Sequence, residues 1–363
     1  MTSIIEKTTD ARRLRVGIAG YGAIGPRRHQ FIDQHPACKV VAVSDASFAE
    51  EQSSHEGVAR FKNYKRLLEC DLDALFVCLP NDIAPDAVLS GIEKGLHVFC
   101  EKPPGRSVGD IRQVIEAEKK NPRLKLKYGF NHRYHDSVRE ALRIIESGEF
   151  GRIINLRGVY GKSAFIPWPR PSHKEMSEDP KYWRTSRAVA GGGILLDQGI
   201  HMVDLMRAFA GDFTDVKSFV KNSFWNHDVE DNAYALMQTA KGVVAMLHST
   251  ATQWRHRFSL EVHLEGGALI LSGILSGTKS YGEETLTIAR RREGDKLPPS
   301  EETRRYDTDN SWRDEVFEFA DCILNDKSVV VGSSREALST MELVYRIYCA
   351  DSQWRDRWRI TMD

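Results

Sequence analysis

The chain has 363 residues, 41% of them apolar, and its 51 lysines and arginines balance 51 aspartates and glutamates. Zero formal charge argues against nucleic acid or an anionic membrane as a partner, and the length suffices for two domains. The sequence has no run of about 18 apolar residues, and residues 1–13 lack the apolar core of a signal peptide, so we expect no membrane span. The six cysteines form no CxxC pair. This favours free thiols in a cytoplasmic protein over zinc ligation.

The first predicted strand, residues 14–19, runs into a GxGxxG sequence that precedes a predicted helix. In this context the first glycine permits a tight turn and the second lets the backbone approach a pyrophosphate. The third glycine allows helix and strand to pack closely. We therefore predict that a dinucleotide binds at Gly20, Gly22, Ala23, Ile24 and Gly25.

Asp45 follows the next predicted strand, residues 39–44. It lies about 20 residues past Gly25, the usual place for a carboxylate that binds the ribose hydroxyls. Such a carboxylate would repel a 2′-phosphate, and no arginine occurs in residues 46–48, so NAD is favoured over NADP. The alternative is that Asp45 only caps a following helix.

Strands and helices continue to alternate up to residue 130. Apolar runs at 73–79, 95–100 and 125–130 are predicted strands, and the segments 85–94 and 111–120 are predicted helices. This order predicts an open, doubly wound parallel sheet with ligands at the carboxyl ends of its strands.

Four further candidates for cofactor binding fall at such strand ends: Pro80, Asn81, Glu101 and Lys102. Lys102 could also donate a hydrogen bond to a substrate oxygen and help to move its proton. Alternatively it forms a surface pair with Glu101, where such a pair contributes little. The residue pattern leaves both possibilities open.

Beyond residue 130 the pattern changes. A predicted helix at 134–147 and a predicted strand at 153–160 lead into a long loop at 161–190. Loops of this length are usually lids or partner surfaces. Four residues are candidate substrate contacts, although each could equally be a lid or interface residue: Arg133, Trp168, Trp183 and Arg184.

Short connections between the remaining predicted strands are typical of an antiparallel sheet. These strands cover residues 216–222, 232–239, 243–249, 258–264, 268–271 and 285–290. A run of βα units followed by antiparallel strands predicts two domains, a Rossmann domain at 1–130 and an α+β domain at 131–363. The helices near 312–324 and 335–351 are expected to pack back toward the first domain.

Residues 191–204, GGGILLDQGIHMVD, are predicted to form a helix with Asp197, His201 and Asp204 on one stripe. A carboxylate stacked on an imidazole can hold its tautomer and shift its pKa. The same pattern also describes an ordinary amphipathic helix with a solvated polar face. Spacing alone does not separate the two interpretations.

Three motifs together, Gly20–Gly25, Glu101-Lys102-Pro103 and GGGILLDQGIHMVD, resemble the Gfo/Idh/MocA family of nicotinamide-dependent sugar and polyol oxidoreductases. Residues 128–153, YGFNHRYHDSVREALRIIESGEFGRI, resemble the family's link between its two domains. The resemblance implies a Rossmann domain followed by an α/β domain with an open, mostly antiparallel sheet. It places Lys102, Asp197 and His201 at the catalytic positions and implies a homodimer or homotetramer formed through the open sheet.

The leading hypothesis is therefore an NAD-dependent oxidation of a secondary hydroxyl on a sugar, cyclitol or sugar derivative. His201 would act as the general base, Lys102 would stabilise the developing oxyanion, and Asp197 would orient or polarise its neighbours. The alternatives are a nucleotide-sugar dehydrogenase or reductase of surface-polysaccharide biosynthesis, a glycosidase that uses NAD transiently, or a non-catalytic NAD-binding regulator. No metal site is predicted.

Overall fold

The computed structural model describes residues 13–50, 52–163, 180–275, 279–292 and 298–362. These residues form a seven-stranded sheet followed by an eight-stranded sheet. The predicted fold class, a Rossmann-type parallel sheet and then a mostly antiparallel sheet, is confirmed.

The first sheet has the strand order β3-β4-β2-β1-β5-β6-β7. Its strands are β1 Leu14–Ala19, β2 Cys38–Ser44, β3 Gln52–His55, β4 Val58–Phe61, β5 Ala74–Val77, β6 His97–Glu101 and β7 Leu126–Gly129. All pairs are parallel except the β3–β4 hairpin. This hairpin was not predicted, because its strands, QSSH and VARF, contain no long apolar run.

Strand order reverses at β1, with β2 on one side and β5 on the other. Such a switch point opens a crevice at the carboxyl ends of the strands, where ligands bind in this class of sheet. The helices that cover this sheet are α1 Gly25–Gln34, α2 Tyr64–Leu67, α3 Ala84–Glu93 and α4 Val108–Lys120. Ser107 and Asp110 form a capping box at the start of α4.

The second sheet has the order β15-β14-β13-β12-β8-β11-β10-β9. Its strands are β8 Ile153–Gly161, β9 Phe213–Lys221, β10 Asn232–Thr239, β11 Val244–Thr250, β12 Arg257–Leu264, β13 Gly267–Ser272, β14 Glu284–Arg290 and β15 Ser300–Tyr306. The β8–β11 pair is parallel and the others are antiparallel. Strand β15, SEETRRY, was not predicted, since it is a charged strand at the edge of the sheet.

Helices of the second half join the two sheets. They are α5 Asp136–Glu146, α6 Arg187–Ala190, α7 Ile200–Ala210, α8 Ser311–Leu324, α9 Ser334–Ala350 and α10 Ser352–Trp358. Helix α8 packs on α1, and α9 packs on α4, α7 and β9. The C-terminal helices therefore lie against the Rossmann sheet as expected, while the domain boundary at residue 130 stays a prediction.

Candidate active site

The glycine-rich loop has the shape that a dinucleotide needs. Gly20 has a φ of +92°, and a Cβ there would overlap the carbonyl of Cys78, while a Cβ on Gly25 would overlap the carbonyl of Gly20. A Cβ on Gly22 would meet nothing within 4 Å. Packing thus explains Gly20 and Gly25, whereas open space beside Gly22 leaves room for a pyrophosphate. Ala23 and Ile24 complete the loop, and α1 begins directly after it.

Asp45 lies against this loop. One carboxylate oxygen accepts a hydrogen bond from the amide of Tyr21 at 2.8 Å, and the other accepts from the amide and hydroxyl of Ser47 at 2.9 and 2.6 Å. Residues 46–50 form no helix, so the alternative that Asp45 is a helix cap is wrong. Its position at the end of β2 fits a carboxylate that faces the ribose of NAD.

The segment after β5 contacts the second half of the chain. The amide of buried Asn81 donates to the carbonyl of Ala190 at 2.8 Å, and the carbonyl of Pro80 accepts from the amide of Ala84 at the start of α3. These bonds fix the geometry of the strand end after β5. A contact of Pro80 and Asn81 with the cofactor stays a prediction.

Glu101 belongs to a buried ionic network. Its carboxylate accepts from Arg28 at 2.6 Å, and Arg28 also donates to Glu315 at 2.7 Å. Burial raises the pKa of Glu315 to about 7, against the opposing charge of Arg28. Glu101 is therefore engaged by Arg28, and the alternative of a surface pair between Lys102 and Glu101 is wrong.

Lys102 instead reaches the second half of the chain. Its ammonium group donates to the backbone carbonyl of Asp197. Burial lowers the pKa of Lys102, and the carboxylate of Asp197 counteracts this effect. Lys102, at the end of β6, therefore lies beside the motif that the sequence analysis singled out.

That motif is only partly the α-helix that was predicted. Residues Leu195–Gly199 form a π-helical turn, and a regular α-helix begins at Ile200. The preceding glycines are required by packing, since a Cβ on Gly193 would overlap the backbone of Glu230, whose carboxylate accepts from the amide of Gly193 at 2.8 Å. Single π-helical turns occur often at functional sites.

Asp197 lies in this π-helical turn and is surrounded by cations. Its carboxylate accepts from Lys162 at 3.0 Å and from Arg184 at 3.2 Å. Burial opposes its ionisation, but the charges of Lys162, Lys102 and Arg184 hold the pKa of Asp197 well below its usual range. Asp197 is therefore ionised and neutralises part of a positive cluster.

His201 is buried one turn further on, at 5% exposure. Its ring stacks on His132 with centroids 3.8 Å apart and planes 11° apart. No side-chain hydrogen bond joins Asp197 to His201 within the described ranges, and the Nδ1 atom of His201 has no hydrogen-bond partner there. Burial, helped by the charges of Lys102 and His135, lowers the pKa of His201 well below its ordinary value. His201 is thus neutral and able to accept a proton.

Asp204 and Arg133 form a separate ion pair. The guanidinium donates two hydrogen bonds to the carboxylate, at 2.6 and 2.8 Å, and one to Glu336 at 3.3 Å. This pair connects the segment after β7 to α7 and α9. The pair engages both residues, so Asp204 does not join the polar groups of Asp197 and His201. A substrate contact of Arg133 stays a prediction, which this pairing does not support.

Two of the three candidates from the long loop lie at the site. Arg184 contacts Asp197, and its guanidinium lies over the ring of Trp183 at 4.3 Å from the centroid. Both side chains therefore lie at the edge of the site, where a substrate contact stays a prediction. Trp168 lies outside the described residues.

Several residues of the site were not predicted. Lys162 follows β8 directly, and a polar residue at a strand end was the available signal. His132 and Tyr160 carried no such signal, because their roles depend on contacts between distant segments. The hydroxyl of Tyr281 lies 2.6 Å from the side-chain amide of Gln198, the neighbour of Asp197.

A cavity of about 590 Å³ opens beside Tyr281 at the end of the second sheet. Its lining includes three cationic side chains, Arg255, Arg257 and Lys279. None of the described residues that line it carries a carboxylate. His256, also in the lining, lies 3.0 Å from the hydroxyl of Ser163, the residue after Lys162. The cavity thus borders the Asp197 cluster.

The described residues also bear on metal binding and membrane insertion. Within the described ranges, no group of three or more His, Cys, Asp or Glu side chains could hold a metal ion. No helix in the described part of the chain has the length and apolarity to cross a membrane. The six cysteines are free.

Both halves of the chain match models of one family, one model for each domain. Residues 14–130 match the oxidoreductase family with an NAD-binding Rossmann fold, and residues 138–270 match the GFO/IDH/MocA C-terminal domain. The chain is 29% identical to the 1,5-anhydro-D-fructose reductase of Ensifer adhaerens over 245 residues, 66% of this chain and 67% of that protein. It is 23% identical to the levoglucosan dehydrogenase of Pseudarthrobacter phenanthrenivorans over 298 residues, 72% of this chain and 74% of that protein.

Solved structures show the same fold over nearly the whole chain. A levoglucosan dehydrogenase in complex with NADH superposes with a TM-score of 0.79 and 19% identity, over 94% of this chain and 98% of that chain. A 3-ketoreductase from Actinomadura kijaniata, in complex with TDP-benzene and NADP, superposes with a TM-score of 0.76 and 20% identity, over 93% and 98%.

Proposed function

We propose, because this chain belongs to the Gfo/Idh/MocA family of NAD-binding oxidoreductases, that it reversibly oxidises a secondary hydroxyl of a sugar or cyclitol with NAD. The relatives named above are a sugar dehydrogenase and an anhydrosugar reductase. The observation that carries the proposal is the convergence of Lys102, Asp197 and His201. The three residues lie near the carboxyl end of β6, and the Gly20–Gly25 loop lies at the carboxyl end of β1 in the same parallel sheet.

The fit of the glycine loop and Asp45 to a dinucleotide supports NAD as the cofactor. Bound there, NAD supplies the acceptor for the hydride. Neutral His201 takes the proton of the substrate hydroxyl during oxidation and returns it during reduction. The Lys102 ammonium donates a hydrogen bond to the same oxygen as negative charge develops on it.

Asp197 has an electrostatic role in this proposal. Lys102, Lys162 and Arg184 place three positive charges around one carboxylate. Without the carboxylate, mutual repulsion would favour the neutral form of the lysines. Asp197 therefore keeps Lys102 charged and, through its backbone carbonyl, holds the ammonium group in position.

A substrate panel tests the proposal. NADH formation is measured with myo-inositol, D-glucose, levoglucosan and UDP-glucose, with each of NAD and NADP. Turnover with at least one neutral or derivatised sugar is expected. Release of free sugar from an aryl glucoside without net NADH would indicate the glycosidase alternative. NAD binding without turnover of any compound would indicate the regulator.

The cationic cavity favours a second candidate, oxidation or reduction of a sugar that carries an anionic group. Arg255, Arg257 and Lys279 line a cavity next to the Asp197 cluster, with no carboxylate in its described lining. Phosphate and carboxylate groups are the natural partners of such cations. The similar fold of the TDP-complexed 3-ketoreductase agrees with a nucleotide-linked sugar.

A matched pair of substrates separates the two candidates. Glucose 6-phosphate and UDP-glucose are compared with D-glucose in the wild type and in Arg257→Gln. The second candidate requires a lower KM for an anionic compound and roughly a tenfold rise of that KM in the variant, as the loss of one charged hydrogen bond implies. Equal KM values for charged and neutral sugars would leave the first candidate alone.

We also propose that two copies of the chain associate through the open face of the second sheet. Five large apolar side chains on β9, β10 and β11 are 42–68% exposed there: Phe219, Tyr234, Leu236, Val244 and Met246. In the sheet register Tyr234 is opposite Phe219, and Leu236 is opposite Met246, so the side chains form one patch. Exposed apolar patches of this kind mark interfaces.

Light scattering of the purified chain tests the association. A mass of two or four chains is expected, and Leu236→Glu should shift it toward one chain, because it places a charge in the patch. A monomeric wild type at micromolar concentration would contradict the proposal.

We also propose a cytoplasmic location, which the six free cysteines support.

A further inference from the structure

His201 lacks the hydrogen-bonded partner that usually orients a catalytic imidazole. Such a histidine commonly donates one ring N–H to a carboxylate or a carbonyl, which fixes its tautomer and its plane. Here the nearest expected carboxylate, Asp197, is engaged by Lys162 and Arg184. The Nδ1 atom of His201 is buried without a partner in the described part of the chain. Its ring must therefore be held by packing.

His132 is the ring that stacks on His201. The two imidazoles lie face to face, 3.8 Å apart and 11° from parallel, while the ring of Phe130 contacts the edge of His201 at 6.3 Å and 84°. His132 itself is buried. The plane of His201 is therefore set chiefly by the plane of His132.

The hydrogen bonds around His132 fix its own tautomer, starting from Asp309. The hydroxyl of Ser311 donates its only hydrogen to the Asp309 carboxylate at 2.6 Å, so its oxygen accepts from the amide nitrogen of Asn131 at 3.1 Å. The amide oxygen of Asn131 then faces Nδ1 of His132 at 3.2 Å. An amide oxygen is only an acceptor, so Nδ1 of His132 carries the hydrogen.

Tyr160 completes the arrangement from the other side. Its hydroxyl lies 3.0 Å from Nε2 of His132. Burial raises the pKa of Tyr160 well above its ordinary value, so the hydroxyl keeps its hydrogen and donates it to the free electron pair on Nε2. His132 is thus a neutral ring with its hydrogen on Nδ1, and both of its nitrogens are hydrogen-bonded.

We propose that His132 is a positioning residue: a neutral imidazole, locked between Asn131 and Tyr160, whose flat face holds the ring of His201 in the plane from which it accepts the substrate proton. This inference rests on the proposed role of His201. It extends that role to a residue that contacts neither substrate nor cofactor in the proposed arrangement.

The charged and titratable groups around His201 agree with a neutral partner. Lys102 faces it from the end of β6, and His132 and His135 face it from the segment after β7. His135 is paired with Glu284 at 2.7 Å. A second positive charge stacked on His201 would oppose the protonation of His201 during oxidation, because like charges disfavour each other's charged forms.

The tautomer can be observed without any substrate. Full-length protein labelled with ¹⁵N and ¹³C in its histidines is studied by NMR, and the His132 signal is assigned as the one lost in His132→Phe. The Nδ1–H tautomer is expected, with no titration between pH 5.5 and 8. An Nε2–H tautomer, or titration near the ordinary histidine pKa of about 6.5, would overturn the inference.

Kinetics test the positioning itself, with the sugar that the wild type turns over fastest. His132→Ala should lower kcat roughly 100-fold, the scale of a misplaced reacting group, while the Kd for NADH stays unchanged. Water that enters beside His201 in this variant should reduce its burial and so raise its pKa. The acidic limb of the pH profile should therefore move to higher pH. His132→Phe, which keeps a flat ring, should restore most of kcat.

A matched control and a folding check accompany these variants. His35 follows α1, and its ring packs on Phe317 of α8 with centroids 4.7 Å apart. It is replaced by alanine and should leave kcat unchanged. Thermal melting shows that each variant is folded. Wild-type kcat and pH profile in folded His132→Ala would overturn the inference, as would a His132→Phe variant as defective as His132→Ala. An unaffected His201→Ala enzyme would instead refute the proposed function.

Discussion

Lys102, at the end of strand β6, donates a hydrogen bond to the backbone carbonyl of Asp197 in the π-helical turn. The contact joins the Rossmann sheet to the second half of the chain at the place where hydride transfer is proposed. Asp197 thus interacts with Lys102 in two ways, since its carbonyl accepts a hydrogen bond from the ammonium group and its carboxylate raises the pKa of Lys102 against the effect of burial.

Replacing Asp197 by asparagine should change the pH dependence of the enzyme in a definite direction. The carboxylate raises the pKa of Lys102 against the lowering effect of burial. In Asp197→Asn the pKa of Lys102 falls further, so the alkaline loss of kcat/KM begins at a lower pH than in the wild type. Steady-state rates from pH 6 to 10 measure this shift. Asp204→Asn is the control, and an alkaline limb that stays in place in Asp197→Asn would show that Asp197 does not support the charge.

Asp45 should determine the choice of cofactor. The wild type is expected to prefer NAD, because a 2′-phosphate would lie against the Asp45 carboxylate. Asp45→Ala should raise the KM for NAD roughly tenfold, through the loss of one or two hydrogen bonds, and lower the KM for NADP. Equal kcat/KM values for NAD and NADP in the wild type would remove this role from Asp45.

The Arg133–Asp204 pair should contribute to stability and not to substrate binding. Arg133→Met leaves the buried Asp204 carboxylate without its main partner, which costs about 3–5 kcal/mol of unfolding free energy. The double variant Arg133→Met/Asp204→Leu should recover much of this loss, because it removes both charges. Urea unfolding measures these differences. A KM for the sugar that rises in the double variant, at wild-type stability, would instead make Arg133 a substrate contact.

The fold was predictable from the sequence where local patterns determine structure. Apolar runs ending in turn residues, such as Leu14–Ala19 before Gly20, predict buried parallel strands directly. Strands without such runs, such as Gln52–His55 and Ser300–Tyr306, could not be found in this way. Their formation depends on pairing with a neighbouring strand rather than on their own apolar pattern.

The candidate site was predictable as a set of residues but not as a set of contacts. The sequence predicts Lys102, Asp197 and His201 as a set, and the structure brings them together. The expected stacking of Asp197 on His201 is not formed. That expectation required a regular α-helix over both residues, whereas Asp197 lies in a π-helical turn. His132, which stacks on His201, lies 69 positions earlier in the sequence. The two rings meet only in the folded chain, and no local sequence pattern connects them.

The central claim is that His201 accepts the substrate proton, and His201→Ala tests it most directly. With the best sugar of the panel and saturating NAD, kcat should fall by roughly 10²–10⁴-fold, the usual effect of losing a general acid–base group. The Kd for NADH should stay near the wild-type value, since the glycine loop and Asp45 are unchanged. A kcat within a few-fold of wild type, in a variant that binds NADH normally, would contradict the account.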